Sequence, residues 1–193
     1  MKYLLRLIVV TLFITALSGC ISFSNMSKDS SYSDLGEDSV IILGIKPDFR
    51  VHIYKGEELD YGWEMNNVAV TLNTFPEGGY IVAKLSPRSD GINYGVGGVL
   101  PEGIGGQLYM PCGGKETMTF EAPAGKVVYV GSLEFVGSNG SKSFKVTNDF
   151  DDAKKYLEQE YPSFSKHLEY SEPAILKVAN ISCTRTIYIP VVS

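Results

Sequence analysis

The chain has 193 residues, enough for one well-buried domain and marginal for two. With 17 basic against 22 acidic side chains, a net charge of −5, it lacks the electrostatic footprint of a nucleic-acid binder. A hydrophobic share of 44% suits a globular protein, while a charged share of only 20%, with 20 glycines, 12 tyrosines and 9 phenylalanines, leans toward β structure.

The first twenty residues are set apart from fold reasoning. Lys2 and Arg6 make a basic start, and Leu7 to Leu17 is an uncharged, mostly aliphatic run. As a helix it rises about 16 Å, roughly half of a ~30 Å hydrocarbon core, which is too short to span and fits the core of a signal peptide. The run ends in Leu17-Ser18-Gly19-Cys20, which resembles the lipobox of bacterial lipoproteins. That resemblance implies cleavage between Gly19 and Cys20 and a diacylglyceryl thioether on the Cys20 sulfur. It also implies an N-acyl chain such as palmitate on the new amine. Two or three acyl chains give stable anchoring where a single chain binds only reversibly. Residue 21 is Ile, not Asp; by resemblance to enterobacterial sorting this directs the protein to the outer membrane of a Gram-negative cell.

Removing residues 1–19 takes away Lys2 and Arg6, leaving 15 basic against 22 acidic side chains and a net charge near −7. Such a surface does not adhere to anionic lipid by charge, so membrane attachment falls to the lipid on Cys20. Residues 20–39 read as the lipidated N-terminus and a flexible tether. Seven of the nineteen residues 21–39 are Ser, and a coil of that length has an r.m.s. span of about 25 Å.

A domain over 40–193 follows, made of short apolar runs between turn residues. Val40–Ile45 is β-rich and stops at Lys46-Pro47-Asp48. Phe49, Val51 and Ile53 alternate with Arg50, His52 and Tyr54, the period of a half-buried strand, and Lys55-Gly56-Glu57-Glu58 reads as a turn. Val68–Leu72, Tyr80–Leu85, Gln107–Met110, Thr117–Phe120, Lys126–Phe135, Phe144–Thr147, Ala174–Ala179 and Thr186–Val192 are further strand candidates. The stretch 91–114, with nine glycines, reads as hairpins and bulges. Asn139-Gly140 is a type I′ hairpin signal. One helix is expected near 149–161. Asn148 or Asp149 caps it, Asp151 and Asp152 favour its N-terminal dipole, and Phe150, Ala153, Leu157 and Tyr161 fall on one face. Asp151–Lys155 and Lys154–Glu158 are expected as i,i+4 pairs, and Tyr161-Pro162 ends the helix. The pattern predicts a mainly β protein, an antiparallel β-sandwich with one C-terminal helix laid over an edge or open end.

The strand Ala122-Pro123-Ala124-Gly125-Lys126-Val127-Val128-Tyr129-Val130-Gly131, followed by the helix ending in Tyr161-Pro162, resembles a family of uncharacterised bacterial lipoproteins. That family resemblance implies a sandwich of the prealbumin (carboxypeptidase-regulatory, Ig-like) type. It covers about Phe120 to Pro162 and implies no catalytic residues.

With Cys20 lipidated, Cys112 and Cys183 remain, an even count in an oxidising compartment. A bond between them closes a loop of 72 residues, for which chain entropy gives about 4 kcal/mol. The alternatives are two buried thiols, or a catalytic Cys112 needing His52 or His167 as base. No His or Cys spacing suits zinc, and Asp149, Asp151 and Asp152 lack the EF-hand pattern, so no metal or other cofactor is expected beside the lipid. No Gly-x-Ser-x-Gly elbow or phosphate loop is present. Tyr54, Tyr61, Trp63 and Tyr80 are candidate ligand-face aromatics for a glycan or peptide, against the plainer reading as strand aromatics. The expected protein is a lipid-anchored envelope lipoprotein. Its domain is a non-catalytic binding or scaffold module for another envelope protein or a glycan. The alternative is an envelope hydrolase or accessory enzyme with a site assembled from distant residues.

Overall fold

The computed structural model describes residues 25–66, 70–87, 92–101, 108–136 and 143–179. Its strands are β1 (Ser39–Lys46), β2 (Arg50–Leu59), β3 (Gly62–Met65), β4 (Leu72–Thr74), β5 (Tyr80–Leu85), β6 (Ile92–Leu100), β7 (Glu116–Phe120), β8 (Val127–Val136), β9 (Ser143–Thr147), β10 (Leu168–Tyr170) and β11 (Ala174–Lys177). Helix α1 spans Phe150–Glu160 and the single turn α2 Pro162–Ser165; Tyr32–Asp34 form a 3₁₀ turn. Sheet I has the order β10-β8-β1-β5 with β9 also on β8, and sheet II the order β11-β7-β6-β2-β3 with β4 also on β2.

The expected mainly β sandwich with its C-terminal helix is present, with two differences. Sheet I is mixed, since β1 and β10 both run parallel to β8. The helix also lies on the outer face of sheet I, not on an edge. The unbroken apolar run of β1 explains the helix position. Ile41, Leu43 and Ile45 face the core between the sheets, with Val51 and Ile53 of β2 and Val128 and Val130 of β8. Val40 and Ile42 point the other way and need their own cover. Ala153, Leu157, Tyr161 and Phe164 supply it, all essentially solvent-free. Each large side chain so buried contributes roughly 1.5–3 kcal/mol. Asp149 N–H donates to the buried Tyr129 hydroxyl (3.0 Å), tying the helix start to sheet I, while Asn148 Oδ1 accepts from Phe150 N–H (3.2 Å). Lys155 pairs with Asp152 at i,i+3, one residue from the expected Asp151 partner.

Sheet II curls. Its two edges meet at a bridge between Trp63 and Val178, and Trp63 lies inside the curl with Tyr54, Met65 and Val178. A Cβ on Gly56 or Gly95 would stand 2.3 or 2.7 Å from the indole, so these strand positions admit only glycine under that ring. The glycine-rich stretch accordingly begins as a long strand, β6, whose pairing with β2 shifts register at His52/Ile53. Lys55–Glu58 lie within β2, not in a turn; the turn falls at Asp60-Tyr61, where the strand pairing with β3 ends. Of Gln107–Met110 the described part is an isolated bridge, Val99–Tyr109. Val68, Asn139-Gly140 and Thr186–Val192 lie outside the described residues.

Residues 25–38, expected to belong to the tether, are instead strapped onto the domain. Leu35 is buried, and Met26 and Tyr32 pack on the layer between sheet I and the helices. The Ser-rich composition hid three apolar side chains that find partners only in the folded domain. The strap also covers the free edge of β5, a position that otherwise invites pairing with another chain. Residues 20–24 of the expected tether lie outside the described residues.

Candidate functional site at the N-terminal corner

The described chain begins at a corner where the hairpin joining the two sheets meets the strap. Glu77-Gly78-Gly79-Tyr80 forms a tight turn with two mutual backbone bonds, and Gly78 and Gly79 both take positive φ (57° and 85°), as a type I′ turn requires. Asn25 is fixed beside it. Its Nδ2 donates to Phe75 O (3.0 Å) and Glu77 Oε1 (3.3 Å), and its Oδ1 accepts from Val82 N–H (3.2 Å), in the manner of an extra strand. Met26 N–H donates to Val82 O (2.7 Å), and the Tyr161 hydroxyl donates to Met26 O (3.0 Å). Lys28 bridges Glu160 and Glu77, which raises its pKa above the ordinary lysine value, the hydrogen bond to Glu160 being the main cause.

Phe75 is 37% exposed at this corner, with the Arg50 guanidinium 5.4 Å above its ring, a cation–π geometry. Behind it, His52 pairs across strands with Asn73 on the outer face of sheet II. Arg50 Nε, His52 Nδ1 and Asn73 Oδ1 are buried there without a hydrogen-bond partner. Burial pushes the His52 imidazole below its ordinary pKa, and the Arg50 charge adds to this, so the ring is held neutral.

The other expected site residues scatter. Trp63 and Tyr54 are core side chains inside the curl of sheet II. Tyr80 belongs to the corner turn by its backbone, but its side chain stacks on Tyr156 in the layer between sheet I and the helices, its hydroxyl pushed up to about 12 chiefly by burial. Tyr61 stands alone, 69% exposed, at the β2–β3 turn. The four form no common ligand face, because strand alternation and the two-sheet topology send them to different layers. His167 stacks on Tyr32 (3.6 Å between centroids) on the helical side of sheet I, so it and His52 occupy opposite outer faces and cannot share a substrate. A hollow of about 180 Å³ beside that stack is lined by Tyr32, Lys126, His167 and Glu169, with Lys126 already paired to Glu169 (2.8 Å). This is smaller than ordinary ligand sites. Asp149, Asp151 and Asp152 line an open hollow at the helix start, where Lys46 and Lys155 also lie close to them.

Among the described residues no group of three or more His, Cys, Asp or Glu is placed to hold a metal, and no helix is long and apolar enough to cross a membrane. Cys112 is not without a partner, and the Lys115 amide donates to its carbonyl (2.8 Å). Beside it, Gly114 N–H donates to Val178 O (2.9 Å) and Val178 N–H to Lys115 O (2.8 Å). Cys20 and Cys183 lie outside the described residues. No family model, curated protein or solved structure matches the chain. Asn25, Phe75 and Arg50 were missed in the sequence. The available signal was the set Met26, Tyr32 and Leu35, apolar residues out of keeping with a solvated tether.

Proposed function

We propose that the chain is a lipoprotein of the cell envelope, moored by N-acyl diacylglyceryl lipid on Cys20 after removal of residues 1–19, in the outer membrane of a Gram-negative bacterium. Its β-sandwich then acts as a non-catalytic binding or scaffold module for another envelope protein or a glycan. The observation carrying this reading is the basic, short apolar leader closing on Leu17-Ser18-Gly19-Cys20, five positions before the residue at which the domain takes hold of the chain. The lipoprotein family of prealbumin type resembled by residues 120–162 belongs to the same reading. So does a Cys112–Cys183 disulfide, since the backbone bonds of Gly114 and Lys115 to Val178 bring Cys112 alongside the chain five residues before Cys183.

Intact-mass analysis of the protein purified from cell membranes tests the anchor. The expected species starts at Cys20 and carries the mass of the diacylglyceryl and N-acyl groups. A protein starting at Met1, or one with an unmodified Cys20 sulfur, overturns it. Cross-linking in intact cells, comparing the native chain with Cys20→Ala, tests the scaffold role. A defined partner or glycan captured by the anchored form alone supports the role, and identical capture patterns refute its dependence on mooring.

A further inference from the structure

We infer that the N-terminal corner is a lipid-contacting surface, with Phe75 and Arg50 seated in the phospholipid headgroup layer. This rests on the anchor proposed above. Five peptide steps separate Cys20 from Asn25, and no conformation of them spans more than about 18 Å. The headgroup layer itself takes up roughly 5–8 Å of that reach. A domain of this size is about 40 Å across. The corner that holds Asn25 is therefore kept against the bilayer whichever way the domain tilts, while the opposite end is not.

The chemistry at the corner fits that position. Among the described residues four large apolar side chains are exposed: Tyr61, Phe75, Tyr170 and Ile175. Phe75 is the one whose own carbonyl accepts from Asn25. An aromatic ring at headgroup depth with a guanidinium over it is an interfacial pairing that membranes favour. Lys28 lies between Glu77 and Glu160 and so offsets part of their charge at this corner. Tyr61 lies beyond the far end of β2, nine strand residues from Arg50 and about 30 Å away.

The test uses the full lipidated protein in phosphatidylcholine vesicles carrying bromine on the acyl carbons nearest the headgroup. Single variants Phe75→Trp and Tyr61→Trp report on the two ends, and Trp63, buried in both, gives the same background. Emission from Phe75→Trp is expected to fall about twofold while Tyr61→Trp stays unquenched, as an interfacial ring demands. A ten-residue Gly-Ser insertion between Ser24 and Asn25 should remove the difference while leaving the lipid in place. Equal quenching of the two variants, no quenching of either, or quenching of Phe75→Trp that survives the insertion overturns the inference while the anchor stands. An intact mass without lipid on Cys20 overturns the anchor and the inference together.

Discussion

The strap should carry stability, and Asn25 is where to measure it. Asn25→Ala removes the acceptor of Val82 N–H and the donor to Phe75 O. A hydrogen bond contributes about 0.5–1.5 kcal/mol net, and a buried donor left unpaired costs about 1–3 kcal/mol. Val82 is fully buried, so its freed amide puts the expected loss in the range of about 1–3 kcal/mol. With a urea slope near 2 kcal/mol/M, the unfolding midpoint should fall by roughly 0.5–1.5 M without a change in slope. Hydrogen exchange locates the effect: Val82 N–H should exchange faster in the variant, while the amides of β8 keep their protection. Asn25→Asp offers a finer control. It keeps an acceptor for Val82, so that amide stays slow, but it sets a carboxylate beside Glu77 and should still destabilise at neutral pH. An Asn25→Ala midpoint within 0.2 M of the parent, with Val82 still protected, would refute the view that the strap is energetically part of the domain.

Three further outcomes are expected. Gly95→Ala drives a methyl into the Trp63 ring and should cost about 1–3 kcal/mol, part of which Trp63→Leu restores in the double variant; strict additivity in denaturant titrations would show that the two do not touch. His52 is held neutral in the fold, its pKa below the unfolded value near 6.5, so the unfolded chain binds the proton more readily and stability should fall as pH drops from about 7 to 5. His52→Asn should flatten that part of the stability profile, and an unchanged slope counts against the burial argument. Non-reducing mass analysis should find the domain from residue 25 onward two hydrogens lighter than its reduced form; two alkylatable thiols in unreduced, denatured protein would dispose of the Cys112–Cys183 bond.

Much of the fold was legible because its strands carry strong local signals. Tyr80–Leu85 matches β5, and β7, β8, β9 and α1 match within a residue or so of their expected bounds. The helical stripe at 150, 153, 157 and 161 faces inward as its spacing requires. What failed was non-local. Lys55–Glu58 look like a turn because their composition is polar, yet they pair with β3 and, in part, with β6. The glycines of β6 read as loop because only the Trp63 ring packed over them shows why side chains are missing there. The parallel placement of β1 beside β8 leaves no mark on either strand. The candidate aromatics failed for a related reason: Tyr54 alternates with the apolar Val51 and Ile53 as an outer-face position should, but the curl of sheet II turns that outer face into a second core, which also holds Trp63.

The pairing of β1 bears on how the chain is made. Its first strand sits between β5 and β8, and Val40 waits for Val127, 87 residues further along, before its second neighbour exists. Contacts of such long separation form late and slowly. Sheet I of such a chain is completed only after β8 and the helix behind it have arrived, whereas β1 with β5 and β2 with β3 and β6 can pair before then.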